Sequence, residues 1–281
     1  MVNINGRLLS TNEADISILN RGFQYGDSVF ETIRVINSKL IFWEEHYFRL
    51  MSSMRLLRMR IPSEFSPEFL EDKISEVVSA NNLNTKPAKV KINICRKEGG
   101  LYLPSTREID YFISCQEIDQ AFYTLNQSNY EVELFKDHYI NSGLLSTLKT
   151  NNKLIQVLGS IYAQENEYQN CILLNEKKSV VEFTNGNIFL VKDTIIKTPP
   201  LSDGCLKGIT RHYILDILSS LQEYQVLEES ISPFELQKAD ELFMTNVITG
   251  IQPISKYRKK TYAQGFSKML LGKLNAKARL V

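Results

Sequence analysis

Apolar and polar positions along the chain change period several times, and each change predicts an element. "VNI-NG-RLL" near the start is strand, Asn-Gly turn, strand. "SVFETIRVI-NSK-LIFW" predicts a second hairpin. Helical spacing follows at about 44–58 and 66–81, the second marked by Ser66 as a cap and Pro67 at the first helical position. "AKVKINICR" alternates as a half-buried strand does, and "IDYFISCQEI" reads as its neighbour. Between them lies the Gly- and Pro-containing loop "KEGGLYLPSTRE".

The pattern loosens over "IDQAFYTLNQS". This predicts a small N-terminal α+β domain over 1–117, a linker over 118–128 and a larger C-terminal domain over 129–281. The second part begins with a strand at about 130–136, then a polar loop around Lys149 and a helix at about 152–168. Strands "CILLN", "SVVEF" and "NIFLV" follow, then a helix in "KGITRHYILDILSSL" and a short one in "SPFELQKA". "ELFMTNV" and "GIQPISKY" are strand-like, and a basic helix ends the chain. Hairpins mixed with helices fit a two-domain α+β fold better than a doubly wound parallel sheet. Neither GxGxxG nor a Walker loop occurs.

Composition narrows the classes. The chain has 281 residues, 43% hydrophobic and 23% charged, with a net charge of +1. That balance offers no broad basic surface for nucleic acid. The four cysteines are far apart, without a CxxC pair, and the three histidines are scattered, so neither a disulfide framework nor a metal site is expected. "MVNINGRLLS" reads as a hairpin, not a signal peptide, and no apolar run reaches the ~20 residues of a membrane span. A soluble cytoplasmic protein is the expectation.

Five places could carry chemistry. In "LLSTLKTNNKL", Lys149 sits among small polar residues ahead of an apolar helix. A positioned lysine there could form a Schiff base with a carbonyl; the plain alternative is a solvated charge. Glu182 follows two valines in a strand, so it is either a buried carboxylate needing a cationic partner or an edge residue facing water. In "CLKGITRHY", Gly208, Ile209 and Thr210 open a helix whose N–H groups could hold an anion, or they form an ordinary helix start. Arg49 in "EEHYFRL" suits a phosphate, or else an i,i+4 pair with Glu45. In "VFETIRV", alternation puts Phe30, Thr32 and Arg34 on one face and Val29, Glu31, Ile33 and Val35 on the other.

In this order, "RGFQYGDSVFETIRV", "EEHYFRL", "STLKTNNKL", "VVEFTNGNIFLV", "KGITR" and "FMTNVITGIQPI" resemble the class IV aminotransferase family of pyridoxal phosphate enzymes, fold type IV (D-amino acid aminotransferase-like), over about residues 1–257. The resemblance implies two α+β domains with pyridoxal 5'-phosphate in the cleft between them. It makes Lys149 the Schiff-base lysine and Glu182 the partner of the pyridine nitrogen. It gives the phosphate to Arg49, to Gly208, Ile209 and Thr210, and to the "TNVITG" loop with Thr245, Asn246 and Val247. Val247 stands where branched-chain aminotransferases have a hydroxyl. Phe30, Thr32, Arg34 and Arg96 are the implied substrate-side residues, the two arginines as candidates for a substrate carboxylate. Family members are usually homodimers in which a loop of one subunit reaches the other's site, here the segment after Arg96.

The implied reaction is transfer of an amino group between an amino acid and a 2-oxo acid through Lys149. The branches differ at a few positions. Leu154 occupies the place of a tyrosine typical of branched-chain aminotransferases, and Arg96 lacks the histidine that D-amino acid aminotransferases pair with it. "FxTxR" (Phe30, Thr32, Arg34), "RxxQxGD" (Arg21, Gln24, Gly26, Asp27) and Asn246 are shared with 4-amino-4-deoxychorismate lyases, which release pyruvate and 4-aminobenzoate. Leu101 stands where their loop carries an arginine. The lyase is therefore the alternative, and a non-catalytic dimeric scaffold a remote one.

Overall fold

The computed structural model describes residues 1–126 and 128–280. Gln127, in the expected linker, and Val281, closing the expected second domain, lie outside the described residues. Two compact units are present: Met1–Phe122 with Lys149–Asn152, and Tyr123–Leu148 with Lys153–Leu280. Four residues of the Lys149 loop thus belong to the first unit.

The first unit contains β1 (Val2–Ile4), β2 (Arg7–Leu9), α1 (Arg21–Tyr25), β3 (Ser28–Ile36), β4 (Lys39–Leu40), α2 (Trp43–Leu56), α3 (Pro67–Ala80), β5 (Ala88–Arg96) and β6 (Ile109–Glu117). Its strands form one antiparallel sheet in the order β2-β1-β6-β5-β3-β4. Alternate residues Val29, Ile33 and Val35 of β3 and Val90, Ile92 and Ile94 of β5 face the core, where Leu50 and Met54 of α2 and Leu70, Ile74 and Val77 of α3 pack. Ser66 caps α3 by accepting from Phe69 N–H. The short α1 had no sequence signal long enough to predict it. It is capped by Asn20 and closed by Gly26 at φ 63°. A Cβ at Gly26 would lie 2.4 Å from Asn152 Oδ1 on a left-handed backbone, so a side chain there would be strained and would displace Asn152.

The second unit contains β7 (Glu131–Ile140), α4 (Leu154–Glu165), β8 (Asn170–Asn175), β9 (Val180–Phe183), β10 (Gly186–Lys192), β11 (Ile195–Thr198), α5 (Ile209–Ser219), β12 (Gln225–Glu228), α6 (Pro233–Leu236), β13 (Glu241–Asn246), β14 (Gly250–Pro253), β15 (Lys256–Tyr257), β16 (Lys260–Thr261) and α7 (Gly265–Arg279). They form a mixed sheet in the order β12-β11-β10-β9-β8-β7-β15-β16, from which β13 branches off β10 and carries β14. β8 is buried throughout, as expected of a strand covered on both faces. Its Ile172 and Leu174 enter one apolar cluster, and Cys171 and Leu173 another that includes α4 residues. β11 and β12 escape sequence reading because "IIKT" and "QVLE" are too short to establish a period, and Pro253 divides "GIQPISKY" into β14 and β15. Among the described residues, no helix is long and apolar enough to cross a membrane.

Two expected substrate-side arginines are engaged by the chain itself. Arg34 is buried, and its guanidinium donates to the carbonyl oxygens of Gln120, Ala121 and Phe122, Nε reaching Ala121 at 3.1 Å. Arg96 is buried too. Its Nε and Nη2 bind Asp27 at 2.9 and 3.2 Å, and it donates to the Leu57 and Arg58 carbonyls at 2.7 and 3.2 Å. Arg21 grips the same Asp27 through Nε at 2.9 Å and donates to the Leu101 carbonyl at 2.6 Å. Arginine carries several donors on one side chain, so each buried guanidinium ties several chain carbonyls together. Arg34→Ala should lower unfolding free energy by about 2 to 4 kcal/mol, read from urea midpoints, because it strips donors from these carbonyls.

Candidate active site

Lys149 is held by main-chain pairing. The Phe30 N–H donates to the Lys149 carbonyl at 2.8 Å, and the Asn151 N–H to the Ser28 carbonyl at 3.2 Å. Val29 and Thr150 form an antiparallel bridge. Asn152 Nδ2 adds a bond to the Gly26 carbonyl at 3.1 Å. The small polar residues after Lys149 therefore dock the loop onto β3, while Ser146 and Thr147 bond back to carbonyls of their own turn. Helix α4 begins only at Leu154, so Lys149 is not a charge at a helix start.

The half-buried Lys149 points its Nζ at the Phe30 ring, 4.4 Å from the centroid. Lys91 on β5 lies on the same ring, its Nζ at 4.6 Å. Lys91 pairs across the sheet with Thr32, so Phe30, Thr32 and Lys91 share one face. Burial, aided by the like charge of Lys89, pushes the Lys91 ammonium below the usual lysine range. Lys91 was missed in the sequence because its neighbours alternate like any half-exposed strand.

Arg49, on α2, grips Glu31. Nε reaches Oε1 at 2.7 Å and Nη2 reaches Oε2 at 2.6 Å; His46 Nδ1 lies 2.7 Å from Oε2. Glu31 and His46 are fully buried. Burial alone would raise the Glu31 pKa, but the Arg49 charge and the His46 and Arg49 hydrogen bonds outweigh it and hold the carboxyl at about 2. Burial drives the His46 pKa down despite Glu31, with Arg49 and Lys149 adding to the fall. The signal for Glu31 was available: it is the one carboxylate on the apolar face of "VFETIRV", the same oddity that drew attention to Glu182.

In the second unit, Glu182 is buried on β9, paired to β8 at Leu173 and to β10 at Asn187. It is not an edge residue facing water. Its Oε2 accepts from the Leu206 N–H at 2.9 Å, while Gln156 Nε2 lies 3.5 Å from Oε1. Its cross-strand neighbour Asn187 donates to the Leu206 carbonyl at 2.8 Å. Both polar groups of Leu206 are thus held, which fixes the approach to α5. Gly208 begins that helix without a side-chain cap, and a Cβ there would stand 2.0 Å from Asn187 Oδ1. Space, not backbone angle, demands glycine. Ile209 and Thr210 are buried, and Thr210 Oγ1 has no hydrogen-bond partner; neither does the buried Thr245 Oγ1 on β13. Asn246 Oδ1 accepts from Ile248 and Thr249 N–H at 3.0 and 2.8 Å, so this oxygen shapes its own turn. The Val247 carbonyl accepts from Tyr123 Oη at 3.0 Å.

Residues 28–257 match the sequence profile of "Amino-transferase class IV". The chain belongs to the class IV aminotransferase family. A putative branched-chain-amino-acid aminotransferase of Methanocaldococcus jannaschii is 31% identical over 89% of this chain and 85% of its own length. A D-alanine aminotransferase of Listeria innocua is 28% identical over 90% and 86%. The crystal structure of a putative 4-amino-4-deoxychorismate lyase from Legionella pneumophila superposes with a TM-score of 0.80 at 25% identity, covering 94% of this chain and 96% of that one. Its relatives are pyridoxal phosphate-dependent aminotransferases or a lyase of the same fold, so the chain is an enzyme with that cofactor. The residues fit such a group. Two buried threonine hydroxyls lack partners, α5 starts without a side-chain cap, and the chain carries a buried carboxylate at Glu182 and a half-buried amine at Lys149.

The Glu31 cluster has a pH signature. Glu31 binds its proton more weakly folded than unfolded, so its contribution is present above pH about 4.5 and is lost as pH falls toward about 2. His46, also depressed, adds a loss as pH falls below about 6.5. Melting temperatures measured from pH 7 to 3 should fall for the wild type, and Glu31→Gln should flatten the acid part of that curve.

Proposed function

We propose that this enzyme moves an amino group between an amino acid and a 2-oxo acid, with Lys149 as the Schiff-base lysine. The observation that carries the reading is the main-chain anchoring of Lys149 to β3 with its amine over Phe30. When bound, pyridoxal phosphate supplies an electrophilic carbonyl and a ring that accepts charge from the substrate's α-carbon. The Lys149 amine is the base for the α-proton. Glu182 keeps the ring nitrogen protonated, a role supported by its burial on an interior strand. Arg49, the α5 start at Gly208, Ile209 and Thr210, and the Thr245–Val247 turn take the phosphate. Their support is the charge of Arg49, the α5 end without a side-chain cap and the partnerless hydroxyls.

Lys91, not Arg34 or Arg96, receives the substrate carboxylate in this reading. It shares a face with Phe30 and Thr32, whereas the two arginines hold main-chain carbonyls. Lys91 also favours a second reading, the 4-amino-4-deoxychorismate lyase, because it offers a dicarboxylate the cation that Leu101 lacks. The motifs shared with lyases weigh less: Arg34 of "FxTxR" and Arg21 and Asp27 of "RxxQxGD" belong to the framework. The enzyme is a cytoplasmic homodimer in this proposal. Exposed Leu101, Tyr102 and Leu103 support insertion of that loop into a second copy, and four free cysteines support a reducing compartment.

Purified enzyme should show the visible band of a lysine-bound cofactor. Lys149→Ala should lose that band and its turnover; a wild type without cofactor would refute the reading. Lys91→Met should raise KM for the amino substrate about tenfold or more with a smaller effect on kcat, measured by steady-state kinetics. Pyruvate and 4-aminobenzoate from aminodeoxychorismate, without transfer from amino acids to 2-oxoglutarate, would select the lyase.

A further inference from the structure

We infer that Glu31, backed by His46, is the positioning residue that sets the guanidinium plane of Arg49 for phosphate binding. This rests on the proposed role of Arg49 as a phosphate ligand. The two Arg49–Glu31 bonds form a fork through Nε and Nη2, which removes rotation about the end of the side chain. A lone arginine would sample several rotamers; one held edge-on presents a single orientation.

The third member fixes the second. Glu31 is ionised and can only accept, and His46 is held neutral by burial. The His46 Nδ1 therefore carries the proton and donates to Glu31 Oε2 at 2.7 Å, leaving Nε2 as a lone pair. That Nε2 is buried and has no hydrogen-bond partner. The elements dictate this contact: β3 turns Glu31 to the core side, and α2 carries His46 and Arg49 one turn apart on its buried side. Ser53, one further turn on, bonds back to the Arg49 carbonyl at 2.7 Å. Two fully buried polar side chains, Glu31 and His46, and a half-buried arginine are thus committed to one cluster in the first unit. Burying such a set without a task for the arginine is costly, since apolar side chains of similar volume would stabilise the core at least as well.

The test compares equilibrium binding of pyridoxal phosphate and of pyridoxal, which lacks the phosphate, by absorbance titration of the full-length cofactor-stripped protein. Wild type, Glu31→Gln, Arg49→Gln and the double variant are used, with circular dichroism as the fold control. Glu31→Gln should weaken pyridoxal phosphate about tenfold or more and change pyridoxal less than about twofold. The double variant should lose no more than Arg49→Gln alone, because Glu31 acts through Arg49. Equal weakening of both ligands, unchanged pyridoxal phosphate affinity, or additive losses would overturn the inference while leaving Arg49 as the phosphate ligand. Unchanged discrimination in Arg49→Gln would overturn that role and this inference with it. Should Glu31→Gln fail to fold, His46→Leu serves in its place. It leaves the ion pair and should still weaken pyridoxal phosphate selectively, by about threefold; no selective loss would overturn the proposal.

Discussion

The free edge at the beginning of β3 is the constraint on which the Lys149 end of the site depends. Along one side β3 pairs with β5 from Ser28 to Val35, but on the other side β4 reaches only Val35 and Ile36. The groups of Ser28 and Phe30 on that side need partners, and the segment from Lys149 to Asn151 supplies them. A chain segment distant in sequence is thereby placed in register, and register in an extended pair decides which side chain faces which surface. Lys149 is set over Phe30 by backbone geometry, independent of any charge it carries.

Around that edge, the first unit uses its arginines in different ways. Arg21 and Arg96 share Asp27 and hold loop carbonyls, and Arg34 holds the chain from Gln120 to Phe122. Arg49 differs in being gripped by a carboxylate that histidine also supports. Arg96 is forked on Asp27 in the same way but also donates to the Leu57 and Arg58 carbonyls, whereas the carboxylate that holds Arg49 is itself fixed by a buried histidine. The second unit reaches precision by another device. The cross-strand pair Glu182 and Asn187 clasps both polar groups of Leu206, so the start of α5 is located by a strand register and not by a loop's own preferences.

Much of this was readable in the chain. The hairpins, the Ser66–Pro67 helix start and the glycine before "ITRHY" each rest on local rules, and local rules survive into the folded state; whether Glu182 is buried or at an edge is for the fold to decide. The ordered motifs that include Lys149, Glu182, Arg49, Ile209 and Thr210 carried the family resemblance, and the family is shown. Glu31 lies on the apolar face of its strand without a motif that names its partners, and a lysine such as Lys91 in an alternating strand is ordinary. The partners of Arg34 and Arg96 cannot be read from their neighbours in sequence: among the carbonyls they hold, those of Gln120 and Leu57 lie 86 and 39 positions away in the chain.

What the sequence by itself determined is the fold class, the family and the set of residue types from which the chemistry is drawn, since periodicity, caps and motif order are properties of neighbours along the chain. Only the tertiary structure decided which carbonyls and side chains each of those charges binds. Hydrogen-bond satisfaction of buried groups is settled by contacts across strands and between distant loops. Two arginines can therefore end with different partners, Arg34 on main-chain carbonyls and Arg49 on Glu31, and a plain strand lysine can end beside the one in "LLSTLKTNNKL".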